Sequence, residues 1–360
     1  MPQFHTLTVT DIRRETPDCV SVAFAVPTAV EEQFAFRAGQ YLTLRTTIQG
    51  EEVRRSYSIC SAPQEEALRV AIKKVEQGRF STFANEVLRV GDTLESMAPM
   101  GTFVLPPERE KPLRQYAAFA AGSGITPIMS IIKSTLAEES DSHFTLFYGN
   151  RGVDSIIFRE ELDALKNRYL GRLSVHHIFS QERLDAPLFN GRIDADKCPR
   201  LLRSLLRVEE IAEWFICGPE PMIFAVKEAL TTRGVPDQRV HFELFTSPAG
   251  SLVKKKAKQV PDFDPSLESK VTIRLDGSAF DFNLAYSGEY ILDAALKQGA
   301  DLPYACKGGV CSTCRAKLVE GQVDMDINFA LEPDEVAANF ILTCQAHPRT
   351  PKIVVDFDQQ

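Results

Sequence analysis

The sequence predicts a multidomain α+β chain: an antiparallel β-barrel, then a parallel α/β domain, then a small acidic module built around a cysteine loop. Three observations predict it. Residues 1–106 read as short alternating strands broken by glycines, residues 107–246 alternate buried strands with helical stretches, and four of the eight cysteines fall in the last fifth of the chain. At 360 residues the chain is too long for one ordinary core, which already argues for two or three domains.

The first strands are FHTLTVTDI, CVSVAFAV, QYLTLRTTI, VRRSYSICS and ALRVAIKKV, with a late apolar stretch, MAPMGTFVL, expected to complete the barrel. Val, Thr and Phe enrichment, period-two alternation and breaks at Gly39, Gly50, Gly91 and Gly101 favour antiparallel pairing. One short helix, STFANEVL, interrupts the series. From about residue 107 the pattern changes to QYAAFAAGSG, a helix from Pro127, HFTLFYGN, SIIFREELDALKNR, RLSVHHIFS, EWFICG and a helix from Glu220. Such alternation implies a parallel sheet covered on both faces. Residues 247–269, with prolines and a lysine run, have the composition of a linker, and a flexible chain of that length spans about 25 Å. In residues 270–360, KVTIRLDGSAFDFNL reads as a hairpin, YILDAALKQGA as a helix and KIVVDF as a final strand.

Charge and hydropathy exclude several classes of function. The net charge is −8, from 41 basic and 49 acidic residues, and a chain without clustered Lys and Arg is a poor match for nucleic acid. From Ser269 onward there are 8 basic and 13 acidic residues, so −5 of the −8 lies in the last module. No stretch approaches the roughly 18 apolar residues that a membrane helix needs, and MPQFHTLTVTDIRRE lacks a signal core, which leads to the expectation of a cytoplasmic protein without a membrane partner. Eight cysteines are too few for a disulfide scaffold of this size.

The strongest chemical signal is Cys306, Cys311 and Cys314 in C-x4-C-x2-C spacing, followed by Cys344 thirty residues on, the spacing of plant-type 2Fe-2S ligation. Gly308 and Gly309 would let backbone N–H groups turn toward the sulfurs. The competing reading is a four-thiolate structural zinc site, but such sites are usually made from two C-x2-C pairs, and Cys306 and Cys344 do not form the second.

Two further sites suggest nucleotides. Arg55 and Tyr57 are two apart on one strand, with Ser58 beyond, offering a cation for a phosphate and an aromatic for a flat ring. Gly78, Ser81 and Thr82 open the short helix, where unpaired amides can meet a pyrophosphate. In AAGSGITPI, Gly122 and Gly124 form a turn before a helix for which Thr126 is the expected N-cap and Pro127 the first position. Pro127 stands where a third glycine would complete G-x-G-x-x-G, so the ordinary dinucleotide fingerprint is absent. Cys217, Gly218 and Pro219 follow the strand EWFI. The second strand of this sheet ends at Asn150-Arg151 without an acid, and Arg151, or Ser180 with Arg183, would suit a 2′-phosphate, favouring NADPH while leaving NADH open.

The order RSYS, GRFST, GSGITP, CGPEPM resembles the ferredoxin-NADP reductase superfamily, and residues 270–360 resemble plant-type ferredoxins. The first resemblance implies an FAD site at Arg55, Tyr57, Ser58, Gly78, Ser81 and Thr82, with Lys73 and the E-x-F tail of Glu243 and Phe245 beside it. It also implies that Cys217 approaches the nicotinamide. The second implies a β-grasp fold carrying the 2Fe-2S cluster on Cys306, Cys311, Cys314 and Cys344. The whole domain order is similar to that of the reductase subunits of phenylacetyl-coenzyme A epoxidases. That likeness implies electron flow from NADPH through FAD and the cluster to an oxygenase with a carboxylate-bridged di-iron centre. Tyr57, Ser58, Cys217 and Phe245 are the residues expected nearest the reacting atoms. A reductase for a steroid hydroxylase or ring-hydroxylating dioxygenase, and a non-enzymatic electron carrier, are the alternatives.

Overall fold

The computed structural model describes residues 3–65, 67–106, 114–245 and 267–359. They form two compact units, Phe4–Phe245 and the described residues 267–359. The expected division at 106/107 adjoins residues 107–113, and the expected linker falls largely on residues 246–266; both segments lie outside the described residues.

The first unit opens with strands β1 (His5–Thr16), β2 (Cys19–Ala25), β3 (Tyr41–Ile48), β4 (Glu51–Ser58), β5 (Leu68–Lys73) and β6 (Thr93–Ser96), with helix α1 (Arg79–Glu86) before the last. They form one antiparallel sheet in the order β4-β3-β6-β1-β2-β5. Just beyond β4, Ile59 pairs with Val70 of β5, joining the two edges and closing the sheet on itself. Alternate residues fill the interior: Leu42, Leu44, Val22, Val70 and Ile72 are all fully buried. The stretch MAPMGTFVL does not form the expected strand. Only Met100 pairs, with Tyr41, because Pro99 lacks a donor and Gly101 takes a positive φ of 118°. The sixth strand lies just upstream, at Thr93–Ser96.

The chain then alternates: β7 (Gln115–Ala121), α2 (Ile125–Glu138), β8 (His143–Asn150), α3 (Arg159–Arg168), β9 (Leu173–Phe179), α4 (Lys197–Leu205), β10 (Ile211–Gly218), α5 (Glu220–Thr231) and β11 (Val240–Leu244). Helix α4, which sequence reasoning did not identify, buries Cys198, Leu201 and Leu202 at helical spacing. All neighbours in the sheet order β11-β10-β7-β8-β9 are parallel. The winding reverses between β7 and β10, so their carboxyl ends bound a crevice of the kind that receives ligands in open α/β sheets.

Helix α2 binds barrel and sheet together. Every residue from Ile125 to Leu136 is buried, polar ones included. The Ser130 hydroxyl donates to the Ser61 carbonyl at 2.6 Å, and Lys133 pairs with Glu65 at 3.2 Å and with Glu161 on α3. Burial acts to lower the Lys133 pKa, but the two carboxylates hold it above the ordinary value. One core runs through the junction, with Cys19, Cys60 and Phe103 of the barrel side packed with Ile128, Ile132 and Phe215.

The second unit comprises β12 (Glu268–Leu275), β13 (Ser278–Ala285), α6 (Ile291–Lys297), β14 (Arg315–Glu320), β15 (Val323–Met325), α7 (Pro333–Ala337), β16 (Phe340–Leu342), β17 (Ala346–Pro348) and β18 (Lys352–Asp356). The main sheet runs β13-β12-β18-β14-β16, with β12 and β18 parallel, and β15 pairs separately with β17. Helix α6 packs Ile291, Leu292 and Ala295 into the core formed with Val271, Ile353 and Val355, which is the β-grasp arrangement. The expected hairpin, helix and final strand are present. No helix among the described residues is long and apolar enough to cross a membrane.

Gly124 is required by close approach: a Cβ there would lie 2.1 Å from the Cys217 carbonyl oxygen. Gly124→Ala is therefore expected to destabilise the first unit by about 1–3 kcal/mol, measured as a lower denaturant midpoint at unchanged m-value.

Candidate functional site

Strand β14 begins directly after Cys314 and β16 ends two residues before Cys344, so the paired β14 and β16 bring the two ends of the cysteine set together. Thr343 fixes the approach, donating from both its N–H and its hydroxyl to the Cys314 carbonyl at 3.2 and 2.9 Å. Cys311, Cys314 and Cys344 are buried and Cys306 is half-buried. The Gly308 N–H donates to the Cys306 sulfur at 3.2 Å, and the Cys306 N–H to the Cys311 sulfur at 3.5 Å. The loop turns through positive φ at Lys307 (50°), Gly309 (74°) and Ser312 (48°), so of the two expected glycines only Gly309 supplies the left-handed conformation, while Gly308 supplies a donor.

The thiols are coupled electrostatically. Hydrogen bonds from Cys311 and Cys344, aided by the Gly308 and Val310 N–H groups, hold the Cys306 thiol far below its usual range. Giving hydrogen bonds to Cys306 pushes Cys311 and Cys344 up, and Cys344 also interacts with Cys314. This donor set suits a two-iron cluster held by thiolate pairs, with backbone donors aimed at the sulfurs. Among the described residues, no three His, Cys, Asp or Glu side chains are grouped as the ligands of a single ion would be.

In the first unit, parallel pairing sets Cys217 of β10 against Glu243 of β11 and Ala120 of β7. Ser58, at the end of β4, donates its hydroxyl to the Glu243 carboxylate at 3.0 Å. Barrel and sheet thus meet at Ser58, Glu243 and Cys217. Burial pushes the Glu243 carboxyl up to about 7, opposed by the Ser58 hydrogen bond, and burial together with the Glu243 charge raises the Cys217 thiol. Phe245, just past β11, is 41% exposed.

Tyr57 and Arg55 stand opposite Leu42 and Leu44 on β3. The Tyr57 ring lies 5.4 Å from that of Phe80, and the exposed Arg55 guanidinium donates to the Arg54 carbonyl. Gly78 occupies the N-cap of α1, and the first hydrogen bond within the helix runs from Thr82 N–H to Gly78 O. The Ser81 hydroxyl is committed locally, accepting from Val75 N–H and donating to Gly78 O, so its amide is the group left to face a phosphate.

The nicotinamide motif differs from expectation in one respect. Thr126 is not the N-cap: a short 3-10 turn at Gly122–Gly124 precedes the helix, Gly124 takes the cap and Pro127 is the third helical residue. The Thr126 hydroxyl instead donates back to the Ser123 carbonyl at 3.0 Å. Pro219 caps α5, directly after Gly218. Lys73, at the end of β5, lies beside this turn, with its Nζ 3.9 Å from where a Cβ on Gly122 would be, and forms an ion pair with Asp18 at 3.6 Å.

Arg151 borders a cleft of about 440 Å³ with Asp18, Gly152 and Glu182, whereas Ser180 and Arg183 are exposed on the loop after β9. Sequence reasoning missed Glu182, whose carboxylate accepts the Val153 N–H at 2.9 Å and so places an acid at the tip of β8. It also missed Gln345, next to Cys344, a single buried amide that no motif singles out.

A raised carboxyl pKa means that protonation favours the folded state. The contribution of Glu243 is complete below its ordinary pKa of 4.5 and is lost as the pH rises through about 7. Relative to Glu243→Gln, the wild-type chain is expected to lose about 3 kcal/mol across that window, read from denaturant unfolding at a series of pH values.

Comparison with known proteins agrees with this layout. Residues 6–105 match the oxidoreductase FAD-binding domain family, 119–228 the oxidoreductase NAD-binding domain family, and 273–349 the 2Fe-2S iron-sulfur cluster binding domain family. The chain is 49% identical over 358 residues to a subunit of the 1,2-phenylacetyl-CoA epoxidase of Escherichia coli (strain K12), covering 99% of each chain. It is 36% identical to the ferredoxin reductase component of 3-ketosteroid-9-alpha-monooxygenase from Rhodococcus rhodochrous, covering 98% of this chain and 96% of that one. Among solved structures, phthalate dioxygenase reductase matches in fold with a TM-score of 0.59 at 22% identity, covering 99% of this chain and 100% of that one. The chain belongs to the family of oxygenase reductase components, oxidoreductases that join FAD-binding, NAD-binding and 2Fe-2S domains in one polypeptide.

Proposed function

We propose that this chain supplies electrons from NADPH to the di-iron oxygenase of a phenylacetyl-CoA epoxidase system, and that it works in the cytoplasm. The observation that carries the reading is the 49% identity to one component of such an epoxidase, which extends over 99% of both chains. The eight cysteines, all free thiols, suit a reducing compartment. Three modules with divisions near residues 106 and 247–269 divide the work.

Bound FAD and a 2Fe-2S cluster would supply the conversion of paired electrons into single ones. The chain's own residues bind and orient. Arg55 and Lys73 offer cations, and the Ser81 amide at the start of α1 offers a donor, to a flavin pyrophosphate, with Gly78 and Thr82 shaping that turn through their own backbone hydrogen bonds. Tyr57 and Phe245 would flank the flat ring, while Ser58 and Glu243 hold a proton at the carboxylate beside it. Gly122, half-buried at the turn before α2, would offer backbone to the second nucleotide, with Gly124, Thr126 and Pro127 buried behind it as its support, and Cys217, Gly218 and Pro219 would wall off water at the reactive end. Cys306, Cys311, Cys314 and Cys344 would ligate the two irons.

Arg151, Ser180 and Arg183 support NADPH. Glu182 favours a second reading, NADH, because a carboxylate at that strand tip can accept a ribose diol. Anaerobic titration with each nucleotide, followed by absorbance and electron paramagnetic resonance, is expected to show flavin bleaching and cluster reduction, both with a preference for NADPH. Arg183→Ala is expected to raise the KM for NADPH about tenfold while leaving that for NADH unchanged, the loss of one charge-assisted hydrogen bond.

The partner is tested separately. With purified oxygenase, NADPH and phenylacetyl-CoA, the chain is expected to support epoxidation. Support for a steroid hydroxylase or ring-hydroxylating dioxygenase instead would overturn the assignment. Cys311→Ser is expected to abolish cluster absorbance and electron delivery to the oxygenase while flavin bleaching by NADPH persists.

A further inference from the structure

Gln345 follows Cys344 and is 3% exposed. A buried primary amide in an apolar run requires partners, and those of its nitrogen are specific. The two N–H donors of Nε2 reach the Cys344 carbonyl at 2.7 Å and the Lys307 carbonyl at 3.1 Å, and the Cys344 sulfur, 3.8 Å away, lies within reach of a shared N–H. All three are acceptors, which fixes which end of the amide is nitrogen. The Oε1 atom is buried without a partner among the described residues. The stem is also confined, its Cγ lying 3.1 Å from where a Cβ on Gly309 would be. The amide therefore spans the loop that carries Cys306, Cys311 and Cys314 and the strand end that carries Cys344.

We propose that Gln345 is a positioning residue that tunes the reduction potential of the iron-sulfur cluster, its side-chain N–H stabilising negative charge on the Cys344 sulfur while holding the Lys307 loop against it. This rests on the reading of the four cysteines as cluster ligands. Reduction adds one electron, with no bond made or broken, so the reduced state carries one more negative charge, spread in part over the ligand sulfurs. The positive end of an amide NH2 group held 3.8 Å from one of those sulfurs favours the reduced state and raises the potential. Removing the donor lowers it, and replacing the donor with a carboxylate lowers it further.

The test uses the full chain with both cofactors. Iron, labile sulfide and cluster midpoint potential, the last by anaerobic titration monitored by electron paramagnetic resonance, are measured for wild type, Gln345→Leu and Gln345→Glu. Both variants are expected to retain the cluster. The one-electron equilibrium is expected to shift about tenfold toward the oxidised state in Gln345→Leu, a change of about −59 mV, and further in Gln345→Glu. An unchanged potential in cluster-bearing variants would overturn this proposal alone, as would loss of the cluster from both, which would leave Gln345 a purely structural tie. A wild-type chain without iron and sulfide would overturn the ligand reading, and this proposal with it.

Discussion

Helix α2 is buried from Ile125 to Leu136 between a barrel and a sheet, and its one buried cation and the Ser130 hydroxyl are satisfied by those neighbours, while the Ser134 and Thr135 hydroxyls are buried without a hydrogen-bond partner among the described residues. The two satisfied groups fix the first unit. Ser130 reaches the barrel through Ser61, and Lys133 reaches both sides through Glu65 and Glu161. A buried cation missing one partner would be costly, so relative displacement of the two sheets is opposed by charge as well as by packing. The consequence is felt at the other end of the same junction, where Ser58 of the barrel has to meet Glu243 and Cys217 of the sheet.

Strong local patterns were legible in the sequence, and features set by long-range approach were not. Alternation in β1–β5, the strand-helix alternation after residue 114 and the β12–β13 hairpin all follow from period and turn chemistry, and each is present. The expected strand at MAPMGTFVL failed because apolar content was weighed above Pro99 and Gly101, which interrupt pairing. The N-cap was misplaced because Thr126 is a good capping residue in isolation, whereas the cap is decided by how closely Gly124 approaches the Cys217 carbonyl. No local pattern reports that approach.

The sites show the same division. The cysteine spacing identified a cluster loop, but which residue would turn left-handed was decided by packing: Gly309 lies close under the Ile327 carbonyl, while Gly308 is free to donate to sulfur. Ser81 was expected to serve a phosphate, yet its hydroxyl closes the turn before α1. Glu182 and Gln345 belong to no motif and became visible only when β8 and β9, or the loop and β16, were brought side by side.

The thiols divide into two chemically separate populations. Burial pushes Cys19 and Cys198 up to about 12 and raises Cys60 and Cys217 as well, so these four remain protonated and shielded at neutral pH. Cys306 is half-buried, whereas the other seven cysteines are buried. Reagents that reach the polypeptide from solvent would thus meet first the loop built to hold iron.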